Sequence, residues 1–487
     1  MKGWKIFVLA IVLYGVSVFG GFIQDDVSLI VNDLEMGSVS ALGSAFVRPY
    51  YYMNEGHSGA YRPVTSFSFY LNALITGKEA WGFRLVNVLL YGGVCLLVFE
   101  VLKKLDCRVG LPPRNDGGLE KTAFWGTIIF TVLPIHTEAV NNIVGRAELL
   151  SLGFVLFALL LQFKKKWELS ALMFLLALLS KEIAMVGLPI LVYMMFVGEE
   201  KKDTKIGVIS FYVLVTICYL FLRSMVLGNE AMGNNASVVE NPLKFMTSSE
   251  RVMNAFSLVP FGLGKVFFPI NLSYDYSFNQ LKSVTSWFDI GTTTGMFLML
   301  VSLVLVLWGL LRRITPRNDG LIIGMIMFWG SLAITGNFLF SVGTIFGERL
   351  WFWPSLGMVI MLMNLKLWNK WILVILMVLF AGRTMVRNFD WLSQERLFTH
   401  DAVYAKDSVM AQSNAAAMYL IKKDFVKGKE FLEKADIIYP NYPELMNNWG
   451  MYYWWSGDAG KAREQFEACL KEKSGYYLCE SNLKLVR

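Results

Sequence analysis

The sequence predicts an all-α protein: a polytopic membrane helical bundle of about eleven spans over residues 1–390, then a short tetratricopeptide-like helical repeat domain over 391–487. Three observations predict it. The 487 residues are 55% hydrophobic and only 17% charged, with a mean hydropathy of +0.47, whereas soluble domains carry about 25% charged residues. The apolar residues come as uninterrupted runs long enough to cross about 30 Å of hydrocarbon. After about residue 400 the chain turns polar and repeats itself at a spacing of 34.

Apolar runs bounded by Lys/Arg-rich turns place spans near 6–22, 83–102, 122–134, 147–163, 167–180, 183–197 and 206–227. Others fall near 291–311, 321–340, 351–365 and 371–382. The first run follows Lys2 and Lys5 and lacks a small-residue cleavage site, so it reads as a retained span and not a signal peptide. With the N-terminus in the cytoplasm, the inner turns hold Lys103, Lys104, Arg108, Arg114 and Lys121, then 164–166, then Lys201, Lys202 and Lys205. Arg312, Arg313 and Arg317, and finally Lys366 and Lys370, complete the set, and the positive-inside rule is met throughout. The stretch 250–270 is apolar but contains Pro260, Gly262, Gly264 and Pro269, and reads as re-entrant or interfacial. An odd number of spans puts 23–82, 135–146, the tight 180–183 hairpin, 228–290, 341–350 and the repeats on the non-cytoplasmic side of a cell membrane or endoplasmic reticulum.

In the tail, Asn414-Ala415-Ala416 aligns with Asn448-Trp449-Gly450, Tyr419 with Tyr453, Gly428 with Ala462 and Ala435 with Cys469, while Pro440 ends the first unit. Small residues where helices cross, at a period of 34, are the tetratricopeptide signature. Two units are fewer than a free solenoid needs, so the tail is expected to lean on the membrane domain or a partner.

The formal charge of +7 follows the membrane turns and gathers on no single face, which argues against nucleic acid. Five cysteines form no C-x-x-C pair and signal no disulfide framework, although Cys469 and Cys479 lie close. Three histidines, His57, His136 and His400, are too few for a multi-histidine metal centre. No cofactor is indicated, and a divalent metal is compatible with the carboxylates but not signalled.

Charges beside membrane segments are expensive, and those away from cytoplasmic turns gather on the outer side. Asp25-Asp26 directly follows the first span; adjacent carboxylates repel, which raises one pKa and suits a general base or a cation site, or they simply start a solvated loop. Pro134-Ile135-His136-Thr137-Glu138 leads to Gly145-Arg146-Ala147-Glu148, where Arg146 is placed to reach a lipid phosphate or to staple the loop through Glu138 or Glu148. Ser180-Lys181-Glu182 sits between two apolar helices, and Gly347-Glu348-Arg349 precedes Trp351. Each supplies a cation for an anion, or a local pair of Lys181 with Glu182 and of Glu348 with Arg349. Arg62 adds another cation in the first outer loop. A carboxylate pair facing several cations suits removal of a hydroxyl proton while a phosphate leaves. It suits an anion or proton-coupled transporter equally.

In order along nearly the whole chain, several segments resemble the transmembrane and tetratricopeptide repeat containing O-mannosyltransferases and their prokaryotic relatives. These are Asp25-Asp26 with Ile30 and Asn32, Tyr61-Arg62-Pro63, Leu85-Val86-Asn87-Val88-Leu89-Leu90, the segments around His136 and Arg146, Ser180-Lys181-Glu182, and Glu348-Arg349 with Pro354-Ser355. The resemblance implies a membrane glycosyltransferase of the C-type fold. Such an enzyme takes a sugar, mannose above all, from a polyprenyl or dolichyl phosphate and transfers it with inversion to a Ser/Thr hydroxyl of a protein. It also implies Asp25 as the base with Asp26 in support. Arg146, Lys181 and Arg349 become candidates for the donor phosphate, and Arg62, His136, Glu138, Glu182 and Glu348 for shaping the site. Two departures stand out: Arg84 and Tyr91 occupy positions where relatives tend to have histidine, and the repeat array is short. The rivals are transfer to a surface glycan or lipid, a transporter, for which an internal duplication of spans is missing, and a scaffold, which would have no use for so many spans. Asn235-Ala236-Ser237 and Asn271-Leu272-Ser273 are glycosylation sequons on the outer side.

Overall fold

A computed structural model describes residues 2–51, 59–108, 118–228, 236–311, 319–364 and 370–486. His57, Arg114, Asn235, Arg312, Arg313, Arg317 and Lys366 lie outside the described residues. Each apolar run contains a helix: Trp4–Tyr14 with the tighter turn Gly15–Phe19, Ala80–Arg108, Gly118–Val132, Arg146–Phe163, Trp167–Ser180, Gly187–Val197, Lys202–Leu227, Ile290–Leu311, Asp319–Thr335, Phe352–Asn364 and Lys370–Asp390. Among the described residues no strand occurs.

Among the described residues five helices are long and apolar enough to cross a membrane alone, six if the bent pair Glu120–Val132 and Pro134–Asn141 counts as one. That is fewer than the eleven runs, because several runs end early at polar hinges. Ser180-Lys181-Glu182 separates the helices Trp167–Ser180 and Gly187–Val197, and Pro134 ends the Gly118–Val132 helix, since proline cannot donate the next ladder hydrogen bond. The span Ile143–Phe163 is 72% buried and stands at the centre, whereas Ile290–Leu307 is 11% buried and presents its apolar surface outward, as a lipid-facing helix must. The helices Asp319–Thr335 and Phe352–Asn364 cross where Gly324 meets Gly357: a Cβ on Gly357 would stand 2.6 Å from the Gly324 carbonyl oxygen.

The stretch expected to break at its Gly and Pro residues is instead one continuous helix, Ser248–Phe267, running through Pro260. It starts from a capping box between Thr247 and Glu250 and packs on Ile290–Leu311, with Gly295 against the Phe256 backbone. That neighbour supplies the packing that holds the helix together across the proline.

In the tail, the helices Val409–Ile421 and Pro443–Trp455 start 34 residues apart, as do Phe425–Ile438 and Ala459–Glu472. Asp424 and Asp458 cap the second helix of each hairpin by the same bond to the third backbone N–H. The small residues lie where helices touch, Gly428 against Leu420 and Gly450 against Phe466. The last helix, Tyr477–Leu485, repeats the spacing a third time and covers Phe466 with Leu483.

Cys469 and Cys479 form a disulfide that ties this last helix to the hairpin before it. The sequence signalled no framework because a single bridge across ten residues makes no pattern. A thiol-reactive mass tag applied to denatured protein is expected to label both cysteines only after reduction. Labelling without reductant would contradict the bridge.

The repeats lean on loops that join the apolar helices. Phe278 donates its N–H to Val239 and accepts from Val409, and Asn279 donates to Asp407. Arg387, at the end of Lys370–Asp390, makes a bidentate ion pair with the buried Asp401 at 2.6 and 2.7 Å. Tyr274, Trp391, Leu397 and Phe398 close an apolar cluster over Ile23, two residues before the carboxylate pair.

Candidate active site

Asp25 and Asp26 follow the first helix through an extended link and Gln24, whose φ of +50° lies in the left-handed region, where a non-glycine residue is strained. The turn separates the two carboxylates. Asp26 is fully buried and accepts the N–H groups of Ile23 and of Val144, both at 3.1 Å. It thereby ties the loop after the first helix to the Ile143–Gly145 turn. Asp25 faces the other way with its side chain 41% exposed, 3.7 Å from Arg349 and 3.5 Å from the Tyr51 hydroxyl.

Arg349 lies between two carboxylates. Its Nε is 3.5 Å from Glu138, on the Thr137–Asn141 helix, and its backbone N–H donates to the same carboxylate at 2.8 Å. Burial disfavours the guanidinium charge, yet Glu138 and Asp25 hold its pKa above the usual value. Arg62 makes a bidentate pair with Glu182 at 3.1 and 2.6 Å, and Lys181 pairs with the buried Glu148. Every pair therefore joins segments far apart in sequence. The local alternatives, Lys181 with Glu182, Glu348 with Arg349, and Arg146 with Glu138 or Glu148, are not formed. Among the described residues no group of three or more His, Cys, Asp or Glu side chains is arranged to hold a metal ion.

No family model matches the chain. A protein O-mannosyl-transferase of Caenorhabditis elegans is 28% identical over 406 residues, covering 80% of this chain and 56% of the relative. One from Mus musculus is 26% identical over 477 residues, covering 88% of this chain and 50% of its own length. The chain is similar to protein O-mannosyl-transferases. It spans about half the length of the curated relatives it matches. Among solved structures, ArnT from Cupriavidus metallidurans bound to undecaprenyl phosphate aligns with a TM-score of 0.39 at 13% identity, over 100% of this chain and 78% of that one.

Against the O-mannosyl-transferase likeness, the remaining site candidates separate from the Asp25 cluster. Arg146 is fully buried and its donors are taken: Nε by Asn87 at 2.8 Å, one terminal nitrogen by the Ser68 carbonyl at 3.1 Å, the other by Asn72 at 2.8 Å and the Phe83 carbonyl at 2.9 Å. Its plane also lies over Phe69 at 4.7 Å. His136 is packed among Phe130 and Phe352, with its nitrogens on Tyr91 at 3.0 Å and Ser355 at 2.8 Å. Glu348 points away from Arg349 and accepts from the Ser273 N–H and the Tyr276 hydroxyl. Burial pushes its pKa up to about 8, against the pull of Arg387.

The two positions that depart from the family pattern have structural partners. Arg84 donates to the Gly21 and Ser17 carbonyls, holding the link that leads to Asp25. Tyr91 holds His136. Sequence reasoning missed Tyr50 and Tyr51, which sit beside Asp25 and Arg62; a run of tyrosines in a loop carries no spacing signal that marks it as part of a site.

Burial raises the Asp26 pKa from 3.8 to about 7, opposed by Arg84 and the two backbone donors. The folded state then holds the proton more tightly than the unfolded chain, so Asp26 favours folding below about pH 4 and this contribution fades as pH rises towards 7. Melting temperatures of detergent-solubilised protein are expected to fall over that window, and Asp26→Asn to flatten the fall. An unchanged slope in the variant would assign it to other groups.

Proposed function

We propose that the chain is an integral-membrane glycosyltransferase that moves a sugar, mannose by likeness to its relatives, from a polyprenyl or dolichyl phosphate to a Ser/Thr hydroxyl of a protein on the non-cytoplasmic side. The observation that carries this reading is the Asp25–Arg349–Glu138 bridge: an accessible carboxylate beside a guanidinium, on loops packed against apolar helices. Asp25 takes the acceptor proton as the acceptor oxygen attacks the anomeric carbon from the side opposite the phosphate. The carbon–oxygen bond to the phosphate breaks, its electron pair leaves with the lipid phosphate, and the configuration inverts. Arriving phosphate takes over the terminal nitrogens of Arg349 from Asp25, which frees the base as the donor binds. Arg62 and Lys181 are each neutralised by a carboxylate, Glu182 and Glu148, and add positive charge at that position only where the phosphate displaces that partner. Arg146 holds the first loop and the Arg146–Phe163 helix together around it.

An odd number of crossings from a cytoplasmic N-terminus, as the eleven apolar runs of the sequence suggest, would put both the bridge and the repeats outside, and the Cys469–Cys479 disulfide supports an oxidising compartment for the repeats. Purified protein given labelled polyprenyl phosphate sugars and a pool of Ser/Thr peptides is expected to yield glycosylated peptide. Sugar appearing only on glycan or lipid acceptors would move the acceptor class. No consumption of donor by folded protein would overturn the enzyme reading and bring transport forward.

A further inference from the structure

Tyr50 lies in the first outer loop, where its N–H donates to the Ala60 carbonyl at 2.8 Å and closes the loop on itself. Its ring is capped by the Arg62 guanidinium at 5.1 Å and meets the edge of Tyr51 at 4.9 Å. The residue is only 3% exposed, and its hydroxyl has no hydrogen-bond partner among the described residues. Buried hydroxyls are nearly always paired, so one left unpaired at a site calls for an explanation.

The surroundings say what would pair with it. The charges acting on the hydroxyl are those of Arg62, Asp25, Asp26 and Arg349, and burial pushes its pKa above the ordinary phenol value. It therefore stays protonated and offers a hydrogen. A phosphate oxygen only accepts, and a phosphate that displaces Asp25 from Arg349 comes beside the two guanidinium groups that act on the hydroxyl. A sugar hydroxyl is less well suited to that position, because it brings no negative charge for Arg62 and Arg349 to hold.

We propose that the Tyr50 hydroxyl donates a hydrogen bond to the phosphate of the lipid-linked sugar donor, as the third member of an anion hole completed by Arg62 and Arg349. The proposal rests on the glycosyltransferase reading. Because the phosphate gains charge as the sugar leaves, the bond strengthens in the transition state, so Tyr50 contributes to turnover as well as to affinity.

Tyr50→Phe removes only the oxygen and keeps the ring that packs under Arg62. Binding of undecaprenyl phosphate and of the uncharged undecaprenol is measured on wild type and variant, together with steady-state transfer and the melting temperature. The expected result is about a tenfold loss in undecaprenyl phosphate affinity, roughly ten- to a hundredfold in kcat/KM, and no change for undecaprenol or in melting. Equal phosphate affinity in the two proteins would overturn the proposal while leaving wild-type transfer, and so the enzyme reading, intact. Equal losses for phosphate and alcohol would overturn it in favour of a packing role. If wild type binds both lipids alike and transfers nothing, the enzyme reading fails as well. Should Tyr50→Phe not fold, difluorotyrosine at position 50, a stronger donor while protonated, is expected to tighten phosphate binding; no tightening would overturn the proposal.

Discussion

Asp25→Asn is expected to lower sugar transfer by about two to four orders of magnitude, the usual contribution of a general base, while the protein folds and still binds donor lipid. Asparagine keeps the shape of the side chain but accepts no proton at neutral pH. The carboxylate is 41% exposed and among the described residues makes only long contacts, to Arg349 at 3.7 Å and Tyr51 at 3.5 Å, so little of the described fold depends on it. Removing its charge also leaves Arg349 with Glu138 as its one anionic partner, and affinity for the donor phosphate is expected to hold or rise. The readout is therefore split: single-turnover transfer falls and lipid-phosphate binding does not. Transfer at the wild-type rate would place the base elsewhere, and loss of binding together with transfer would make Asp25 a structural residue. Asp26 is its opposite, buried on two backbone N–H groups, and Asp26→Asn is expected to appear first in stability.

The two aspartates show how far the sequence is legible. Residue type and position placed both just after the first helix, but a turn through Gln24 decides which one meets solvent, and no pattern encodes that turn. The cations behave alike. Lys181 is held in extended backbone, at φ −161° and ψ 141°, immediately before the tight turn Glu182–Val186, so the two side chains leave the chain in different directions. Lys181 and Glu182 therefore make their ion pairs elsewhere, and helix packing supplies Glu148 and Arg62. Glu348 and Arg349 likewise diverge, one towards Tyr276 and the other towards Asp25. The helices themselves were easier to read, because apolar length and the period of 34 are properties of single segments. Pairings such as Arg62 with Glu182, 120 residues apart, are properties of the packed bundle.

The same distinction bears on Arg146, for which substitution is expected to act on folding before chemistry. Its guanidinium joins three segments that must meet for the site to exist: Ser68 and Asn72 on the Pro63–Thr76 helix, Phe83 and Asn87 on Ala80–Arg108, and its own helix. Asn87 in turn donates to the carbonyls of Val140, Asn142 and Ile143, so the network continues into the turn that Asp26 holds. Arg146→Lys keeps the charge but loses the planar fork, which cannot be replaced by a single ammonium. Each buried acceptor left without its donor costs about 1–3 kcal/mol. Losing two of them is a large share of the 5–15 kcal/mol by which domains are commonly stable. A marked drop in melting temperature or in yield of folded protein is expected. Arg349→Lys, at a half-buried position with long contacts, should melt near wild type and lose donor affinity instead. If Arg146→Lys melts like wild type but binds lipid phosphate poorly, Arg146 belongs with the phosphate after all, and its four protein partners are a resting arrangement that the donor displaces.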